Sequence, residues 1–422
     1  MARSTPSDAS AYRGGAFDVV IAGAGYVGIA AAVAMRVARP SLSVLVVDAA
    51  PEGMWRRDQR ASAIAAAASR MLTALGAWEE ILPTAQPIVD MVVTDSRTSD
   101  PVRPIFLSFG GEAAPGEPFA HMVENRVLNA ALRRRAAELG VALLEGVSVI
   151  GFEVRGSDVT IHLADGMPIT ARLLVAADGV KSRLRDMASI KTVHWDYGQS
   201  GIVCTVEHER PHNGRAEEHF LPAGPFATLP LKAVDGRHRS SIVWTESTAD
   251  AERLVNDEPL VFESELELRF GLKLGEVRVA DKPRAWPLGL TLARDFVRPR
   301  FALAGDAAHG IHPIAGQGLN LGFKDAAALA EVVVEADRLG RDIGALDVLE
   351  GYQQWRRFDT VRMGVTTDAL NRLFSNDLGP LRALRDLGLG VVDRLPALKA
   401  FFVGQASGLT GTAPRLLRGE AI

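Results

Sequence analysis

From Phe17 the chain alternates between apolar runs and helix-forming segments. Residues Phe17–Gly23 read FDVVIAG, an apolar stretch with β-branched residues that is typical of a buried parallel strand. The glycine-rich sequence GAGYVG follows, and the next residues, IAAAVAMRVA, have the composition of a helix. A second apolar run, SVLVVDA, contains Asp48 near its end. This pattern predicts a strand, a glycine turn, a helix and a second strand at the start of an α/β domain.

The middle of the chain has a different pattern, in which short segments rich in Val, Ile, Thr or Phe are bounded by Gly, Pro and Asp. The segments are Met91–Asp95, Ile105–Phe109, Gly201–Glu207, Glu217–Leu221, Phe226–Leu231 and Ser240–Glu246. They predict a mostly antiparallel sheet inserted into the α/β domain. Candidates for the lining of an apolar pocket on this sheet are Trp244, Phe220, Trp286 and Pro287. For each of them alone, an ordinary place in the core is the stronger interpretation.

The C-terminal part has helical periodicity. From Leu381 apolar residues recur on one face, and six basic residues stand against three acidic ones between Leu381 and Ile422. An amphipathic basic helix of this kind suits a membrane surface. Packing against its own domain or a partner subunit is an equal alternative.

Composition excludes several classes of protein. With 422 residues, 47% of them hydrophobic and 23% charged, the chain is globular rather than disordered or fibrous. A net charge of −4 gives no overall attraction to nucleic acid. The single cysteine, Cys204, excludes an internal disulfide, and no Cys/His cluster predicts a metal site, so redox chemistry has to come from a cofactor. The polar N-terminal residues 1–16 predict a disordered lead, and the uncharged run Val19–Met35 is too short and glycine-rich for a membrane span.

The glycine turn carries the first candidate chemistry. Gly23, Gly25 and Gly28 fill a GxGxxG pattern, in which the glycines allow a tight turn, close approach of a pyrophosphate, and packing of helix on strand. The start of the helix offers free N–H groups to phosphates. Asp48, twenty residues after Gly28, suits a hydrogen bond to a ribose hydroxyl. The alternative is a plain glycine turn, but the flanking strands and helix favour a Rossmann-like dinucleotide site.

Two later strand ends carry further motifs. The apolar run ARLLVAADG ends at Asp178 and Gly179, and RFALAGD ends at Gly305 and Asp306. A carboxylate at such a strand end can accept hydrogen bonds from a polyol, or it can be an ordinary turn residue. After Asp306 the sequence GQGLN opens a helix whose positive N-terminal end would stabilise negative charge on a planar ring. We assign no catalytic role to the two loop histidines nearby, His309 and His312.

These three motifs, in this order, resemble those of the FAD-dependent aromatic-ring hydroxylases, the single-component flavoprotein monooxygenases. HPIAGQGLNLGFKDA, the segment Tyr352–Asp359 (YQQWRRFD) and the C-terminal LTGTAPRLLRGE are similar to the ubiquinone-biosynthesis hydroxylases within that group. The resemblance extends from about Phe17 to Glu420. It implies that GxGxxG holds the ADP half of FAD, that the DG motif serves FAD and the nicotinamide coenzyme, and that the GD motif holds the ribitol.

The resemblance also implies a set of cofactor-binding residues. Arg60 and Arg126 resemble arginines that face FAD in the family, with a solvated helix arginine as the alternative. Asp48 stands where a longer Glu is common. The complete set is Gly23, Gly25, Tyr26, Val27, Gly28, Asp48, Arg60, Arg126, Asp178, Gly179, Gly305, Asp306, Pro313, Gly316, Gln317, Gly318, Leu319 and Asn320. No catalytic residue is assigned.

The implied activity is hydroxylation of the aromatic ring of a prenylated phenol in ubiquinone biosynthesis through a flavin C4a-hydroperoxide. FAD is the cofactor, O2 the oxidant, and NADH or NADPH the transient co-substrate. Other ubiquinone-biosynthesis proteins, the membrane surface and a second copy of the chain are the expected partners, with a cytoplasmic location, peripheral at the inner membrane. A hydroxylase of a small soluble phenol and an FAD-binding, non-catalytic member of a biosynthetic complex stay open as alternatives.

We divide the chain accordingly. The FAD-binding domain comprises residues 17–85, 118–188 and 284–345, and the substrate-domain sheet comprises 86–117 and 189–283. Residues 346–422 form the C-terminal helical region.

Overall fold

A computed structural model describes residues 14–95, 105–110, 112–166, 168–311, 317–374, 408 and 413–422. Three sheets and a short hairpin lie in this part of the chain, with helices between them. The helices are α1 (Tyr26–Ala38), α2 (Ala66–Ala74), α3 (Trp78–Ile81), α4 (Asn125–Glu138), α5 (Arg183–Met187), α6 (Thr248–Asn256), α7 (Pro259–Phe270), α8 (Gln317–Arg338) and α9 (Leu346–Phe374). Short 3-10 turns occupy Met54–Arg57, Leu82–Thr84, Gly305–Ala307 and Arg415–Arg418.

The first sheet is parallel at its centre and antiparallel at one side. Its strands are β1 (Ala16–Ala22), β2 (Val44–Asp48), β10 (Ala142–Glu145), β11 (Val149–Arg155), β12 (Asp158–Leu163), β13 (Pro168–Ala176), β20 (Val297–Arg298) and β21 (Phe301–Leu303). The order is β10-β2-β1-β13-β12-β11, and β21 pairs in parallel with β13. Helices α1 and α8 pack together, and the largest apolar cluster of the described residues joins them to this sheet. The predicted strand, glycine turn, helix and second strand are confirmed.

The second sheet is antiparallel except where β15 pairs with β5. Its strands are β5 (Asp90–Asp95), β6 (Ile105–Gly110), β14 (Thr192–His208), β15 (Arg215–Leu221), β16 (Gly224–Val234), β17 (Arg237–Ser247), β18 (Val277–Val279), β19 (Arg284–Ala293) and β22 (His309–Gly310). The order is β22-β19-β14-β17-β16-β15-β5-β6, with β18 beside β14. All six strand segments predicted for the middle of the chain lie in this sheet, so the α/β class with an inserted, mostly antiparallel sheet is confirmed.

Two small units complete the strands. The third sheet consists of β3 (Ala61–Ala65), β4 (Gln86–Ile88) and β9 (Ala120–Glu124), in the order β3-β9-β4. A hairpin joins β7 (Glu112–Ala114) to β8 (Glu117–Pro118).

The two faces of the second sheet have different neighbours. One face, with Ile242 and Trp244, forms an apolar cluster with side chains of α6 and α7. The other face, with Ala216 and Leu231, packs on the third sheet, for example on Met122. The second sheet is therefore closed by helices on one side and turned toward the third sheet on the other.

The predicted division into domains can be compared with the structure at two places. Strand β19 begins at Arg284 and pairs with the second sheet, although the sequence places 284–345 in the FAD-binding domain. Helix α9 lies in the predicted helical region, while the amphipathic segment expected from Leu381 lies outside the described residues. In the part of the chain that the structure describes, we find no helix with the length and apolar character needed to cross a membrane.

Candidate functional site

The glycine turn after β1 contains two glycines that contact protein and one that faces open space. Gly23 has φ +112°, and a Cβ atom there would lie 2.2 Å from the carbonyl oxygen of Ala177. A Cβ atom on Gly28 would lie 2.0 Å from the carbonyl oxygen of Gly23. At Gly25 nothing lies within 4 Å of the corresponding position. Gly23 and Gly28 are therefore required by packing, and the space beside Gly25 can receive a ligand.

The start of α1 and the end of β2 border this space. Gly25 is the N-cap of α1, and no side chain caps the helix, so its first N–H groups face outward. Asp48, at the end of β2, accepts hydrogen bonds from the Ala24 N–H at 2.5 Å and the Ala50 N–H at 2.6 Å, one on each carboxylate oxygen. Each oxygen keeps a further lone pair. The arrangement fits a pyrophosphate over the helix end and a ribose at Asp48.

A polar cluster fixes the position of Arg60. The Arg60 guanidinium donates to both oxygens of Asp58 at 2.8 Å, and the Tyr26 hydroxyl donates to Asp58 at 2.6 Å. The Asn125 amide adds a third donor at 3.1 Å. Burial would raise the pKa of Asp58, but the hydrogen bonds and charge of Arg60 lower it to about 2. Arg60 thus lies just before β3 and outside any helix, as an ion-paired cation whose side chain is 44% exposed.

Arg126 lies beside this cluster because β3 and β9 pair. Ala61, next to Arg60, is the register partner of Glu124, and the Asn125 N–H donates to the Arg60 carbonyl oxygen. Arg126 donates to Glu124 at 2.6 Å, and its side chain is 57% exposed. The two arginines that resemble family FAD contacts are therefore brought to the same end of the third sheet.

The GD motif forms a turn at the end of β21. Gly305 has φ +62°, which favours glycine, and its N–H donates to Asp325 at 2.9 Å. Asp306 is exposed, and desolvation by the protein around it raises its pKa against the opposing charges of His309 and Arg60. Asp306 therefore presents free acceptor oxygens near Arg60.

A buried network lies beneath that turn and was not predicted from the sequence. The Asp325 carboxylate is 2.5 Å from His309 Nε2 and accepts from Arg356 Nε at 2.8 Å, and all three side chains are fully buried. Burial would raise the pKa of Asp325, but the charges and hydrogen bonds of His309 and Arg356 lower it. His309 thus helps to anchor the GD turn to α8 and α9.

The start of α8 packs on the GD turn and on β3. A Cβ atom on Gly305 or Gly322 would contact Val27, so Val27 fits between the GD turn and α8. The Asn320 amide accepts from the Ala65 N–H at 2.9 Å and donates to the Ala63 carbonyl oxygen at 2.8 Å, which ties α8 to β3. The remaining residues predicted here are Gly318, where a Cβ atom would lie 3.9 Å from Ile311, the partly buried Leu319, and Gln317 at the first position of α8. Pro313 and Gly316, with His312, lie outside the described residues.

The DG motif follows β13 and is joined to the GD turn. Asp178 is exposed, and Gly179 has φ +86° with nothing within 4 Å of its Cβ position. Ser182 caps α5 by accepting from the Arg185 N–H at 3.1 Å. Arg185 in turn donates to the Ala307 carbonyl oxygen at 3.0 Å. This buried arginine holds the second and third motifs together.

A small recess lies between the Arg60 cluster and the second sheet, lined by Asp58 and Arg60 on one side and by Val203, Arg284 and Trp286 on the other. The Trp286 ring on β19 lies 5.1 Å below the Arg60 guanidinium and is 44% exposed. Trp244, by contrast, faces α6 and α7 and is fully buried, so the core interpretation is correct for it. Phe220 is buried on the face turned toward the third sheet.

The site as a whole fits a flavin dinucleotide. An open glycine position and uncapped helix end suit the diphosphate, and the carboxylates of Asp48 and Asp306 can accept from ribose and ribityl hydroxyls. Arg60 and Arg126 supply positive charge at one end of the third sheet. When bound there, FAD supplies hydride acceptance and oxygen activation, and the protein supplies binding and orientation.

Comparison with known proteins identifies the family of the chain. The sequence profile of the FAD binding domain family matches residues 16–356. Ubiquinone hydroxylase UbiL of Rhodospirillum rubrum is 44% identical over 409 residues, which cover 95% of this chain and 92% of that protein. 3-Demethoxyubiquinol 3-hydroxylase of Escherichia coli is 33% identical, covering 93% of this chain and 98% of that protein.

A solved structure shares the fold. Para-nitrophenol 4-monooxygenase PnpA of Pseudomonas putida superposes with a TM-score of 0.76 at 18% identity, over 94% of this chain and 99% of that one. Together with the matches in sequence, the chain belongs to the FAD-dependent aromatic-ring hydroxylases, in the group of the ubiquinone-biosynthesis hydroxylases, and is an FAD-dependent monooxygenase.

Proposed function

We propose that this enzyme hydroxylates the aromatic ring of a prenylated phenol in ubiquinone biosynthesis. The observation that carries the proposal is an apolar row left partly open on the face of the second sheet turned toward the cofactor-binding residues. Val203, Val243 and Ala227 are register partners on the neighbouring strands β14, β17 and β16. Each is partly exposed although its strand lies inside the sheet. An apolar surface of this kind fits an aromatic ring and a hydrocarbon tail.

The names of two relatives support the choice of substrate class. One is a ubiquinone hydroxylase and the other a 3-demethoxyubiquinol 3-hydroxylase. In this proposal the residues predicted for FAD hold the cofactor, NADH or NADPH reduces it transiently, and oxygen transfer follows the C4a-hydroperoxide route implied by the resemblance. The row on the second sheet holds the ring and keeps water away from it.

Partners and location stay predictions within the same proposal. Contact with other ubiquinone-biosynthesis proteins, with the membrane surface or with a second copy would each bring an apolar substrate to the recess. The division into an FAD-binding domain and a substrate-domain sheet is proposed with β19 serving the substrate side, because it carries Trp286.

The test is an absorbance spectrum of the purified protein, followed by NADH or NADPH addition with and without a detergent-solubilised prenylated phenol. We expect flavin bands, bleaching that the phenol accelerates, and a product with one added oxygen atom from ¹⁸O2. Hydroxylation of a small soluble phenol alone would favour the first alternative. Flavin bands with no hydroxylated product from either phenol would favour the non-catalytic alternative.

Asp306→Ala provides a graded check of the cofactor site. Loss of this acceptor should weaken FAD binding by about 1 to 3 kcal/mol, because a charged acceptor of hydroxyl hydrogen bonds is removed. The measurement is FAD affinity by fluorescence titration of the apoprotein. Asp347→Asn, an exposed residue on α9, is the matched control and should leave the affinity unchanged. Equal affinities in both variants would remove Asp306 from the site.

A further inference from the structure

A carboxylate that no sequence motif marks lies on the same face of the second sheet. Glu218 is on β15 and is 5% exposed. Its register partners are Ala227 on β16 and Val93 on β5. It therefore continues the partly open row of Val203, Val243 and Ala227, and lies about 19 Å, four strand spacings, from Arg284 at the other end.

Glu218 lies on the face of the second sheet that packs on the third sheet, to which β3 belongs. Ala216, two residues earlier and on the same face, packs in the apolar cluster to which Ala63 of β3 belongs. The carbonyl oxygen of Ala63 accepts from Asn320 on the first turn of α8. The face of the second sheet that carries Glu218 thus packs on the sheet that contains β3, and Asn320 ties β3 to α8.

Within the described residues, no hydrogen bond or ion pair joins Glu218 to another group. The neighbouring side chains on the opposite face are engaged, because Glu217 pairs with Lys273 and His219 contacts Thr94. Glu218 has no such partner, although leaving a buried carboxylate unpaired is costly. Its carboxylate is therefore poorly explained by the stability of the sheet.

Burial is the main influence on the pKa of Glu218. Its cross-strand neighbours Ala227 and Val93 are apolar, and Ala216 on the same face packs among apolar side chains of the third sheet. Three other charged residues of this face are Arg284, at the other end of the row, Arg239, which pairs with Glu124, and Asp95, the register partner of Phe220. Burial raises the pKa of Glu218 to about 7. A base is most effective when its pKa lies near the working pH.

We propose that Glu218 is the group that accepts the proton of the substrate's phenolic hydroxyl. This inference rests on the proposed function, which makes the substrate a phenol. The phenolic O–H bond breaks and its electron pair stays on the oxygen, while a new O–H bond forms on the Glu218 carboxylate. Negative charge moves from the carboxylate to the phenolate, which raises electron density at the ring carbons ortho and para to the oxygen. Those carbons are then better acceptors for an electrophilic oxygen atom.

The first experiment measures the ionisation of a bound phenol in the FAD-loaded protein. The probe is 4-nitrophenol, whose phenolate absorbs visible light, added at a pH below its own pKa. The variants are Glu218→Gln, Glu218→Asp and the control Glu217→Gln, which changes the adjacent exposed carboxylate. We expect the phenolate band in the wild type and the control, and its loss in Glu218→Gln. An equal phenolate band in Glu218→Gln, or a neutral bound phenol in the wild type, would overturn the proposal.

Infrared titration and turnover separate this inference from the proposed function. A protonated-carboxyl band should titrate near neutral pH in the wild type and be absent in Glu218→Gln; a band that persists in the variant contradicts the assignment. With the prenylated phenol, Glu218→Gln should keep its flavin spectrum and flavin reduction, but lose about 10²- to 10⁴-fold in hydroxylation rate. Glu218→Asp should recover part of it. Failure of all variants and the wild type to hydroxylate the prenylated phenol would contradict the proposed function, while the infrared and 4-nitrophenol results still decide the role of Glu218.

Discussion

Two buried carboxylates lie in different regions of this molecule and have opposite surroundings. Asp325, beneath the GD turn, is held by the Gly305 N–H, His309 and Arg356. Glu218, on the second sheet, has no partner among the described residues and faces an apolar row. The pKa of Asp325 is lowered by its partners, whereas burial raises the pKa of Glu218 to about 7.

The comparison distinguishes a carboxylate that stabilises the fold, Asp325, from one that is free to exchange a proton, Glu218. A buried charge with a complete set of partners resists change and holds elements together, as Asp325 does for the GD turn, α8 and α9. A buried carboxylate without partners destabilises its region when ionised, and it is available to exchange a proton. The free energy of unfolding should therefore respond to the two residues with opposite signs.

Asp325→Asn should have the largest effect. The substitution leaves Arg356 buried beside a neutral amide, and breaking a buried ion pair in this way costs about 3 to 5 kcal/mol. The free energy of unfolding of the apoprotein, measured with urea, checks it. The control is Asp347→Asn, whose ion pair with Arg341 is exposed and should change stability by less than about 1 kcal/mol. Similar small losses in both variants would contradict the supporting role of Asp325.

Glu218→Gln should have a smaller, pH-dependent effect of the opposite sign. The folded pKa of Glu218, about 7, lies above the ordinary value of 4.5. The stability linked to its protonation is therefore complete below the ordinary value and is lost as the pH rises through the folded value, by about 3 kcal/mol in all. Urea unfolding at about pH 5 and about pH 8 should show the wild type losing stability relative to Glu218→Gln. If the free energy of unfolding changed with pH to the same extent in the wild type, Glu218→Gln and the control Glu217→Gln, Glu218 would have an ordinary pKa.

The sequence predicts the role of a residue best where that role depends on contacts with residues close to it in the chain. Gly23 and Gly28 follow from steric contacts within one strand-turn-helix unit, so their spacing alone predicts the turn. Asp325 and Arg356 lie inside sequence segments that resemble family signatures, yet their contact joins α8 to α9. Nothing in the spacing of the two residues indicates that their side chains meet.

The second sheet was predicted in its strands but not in its chemistry. The segment Glu217–Leu221 was identified as a strand, and its alternation gives two faces. Which face is turned toward the cofactor depends on β15 lying between β16 and β5. Since β5 pairs in parallel from more than a hundred residues earlier, the burial of Glu218 is a tertiary property. The placement of Arg284 was missed for the same reason, because β19 joins this sheet through β14.

The glycine turn also contains one glycine packed against protein, Gly28, and one with open space beside it, Gly25. Substitution of Gly25 should give the smallest change in stability. Gly25→Ala adds a methyl group where nothing lies within 4 Å, so the apoprotein should unfold within about 0.5 kcal/mol of the wild type. The same methyl group occupies the space expected for the pyrophosphate, and FAD affinity should fall about 10- to 100-fold.

Gly28→Ala is the matched substitution three residues later. Its methyl group would meet the Gly23 carbonyl oxygen at 2.0 Å, so it should lower stability by about 1 to 3 kcal/mol or more even without FAD. Thermal unfolding of the apoproteins and flavin titration together distinguish the two variants. If Gly25→Ala lost stability but bound FAD normally, the open space at Gly25 would have to be filled by protein rather than by cofactor. If both variants behave as expected, the turn contains one glycine that the fold requires, Gly28, and one that cofactor binding requires, Gly25.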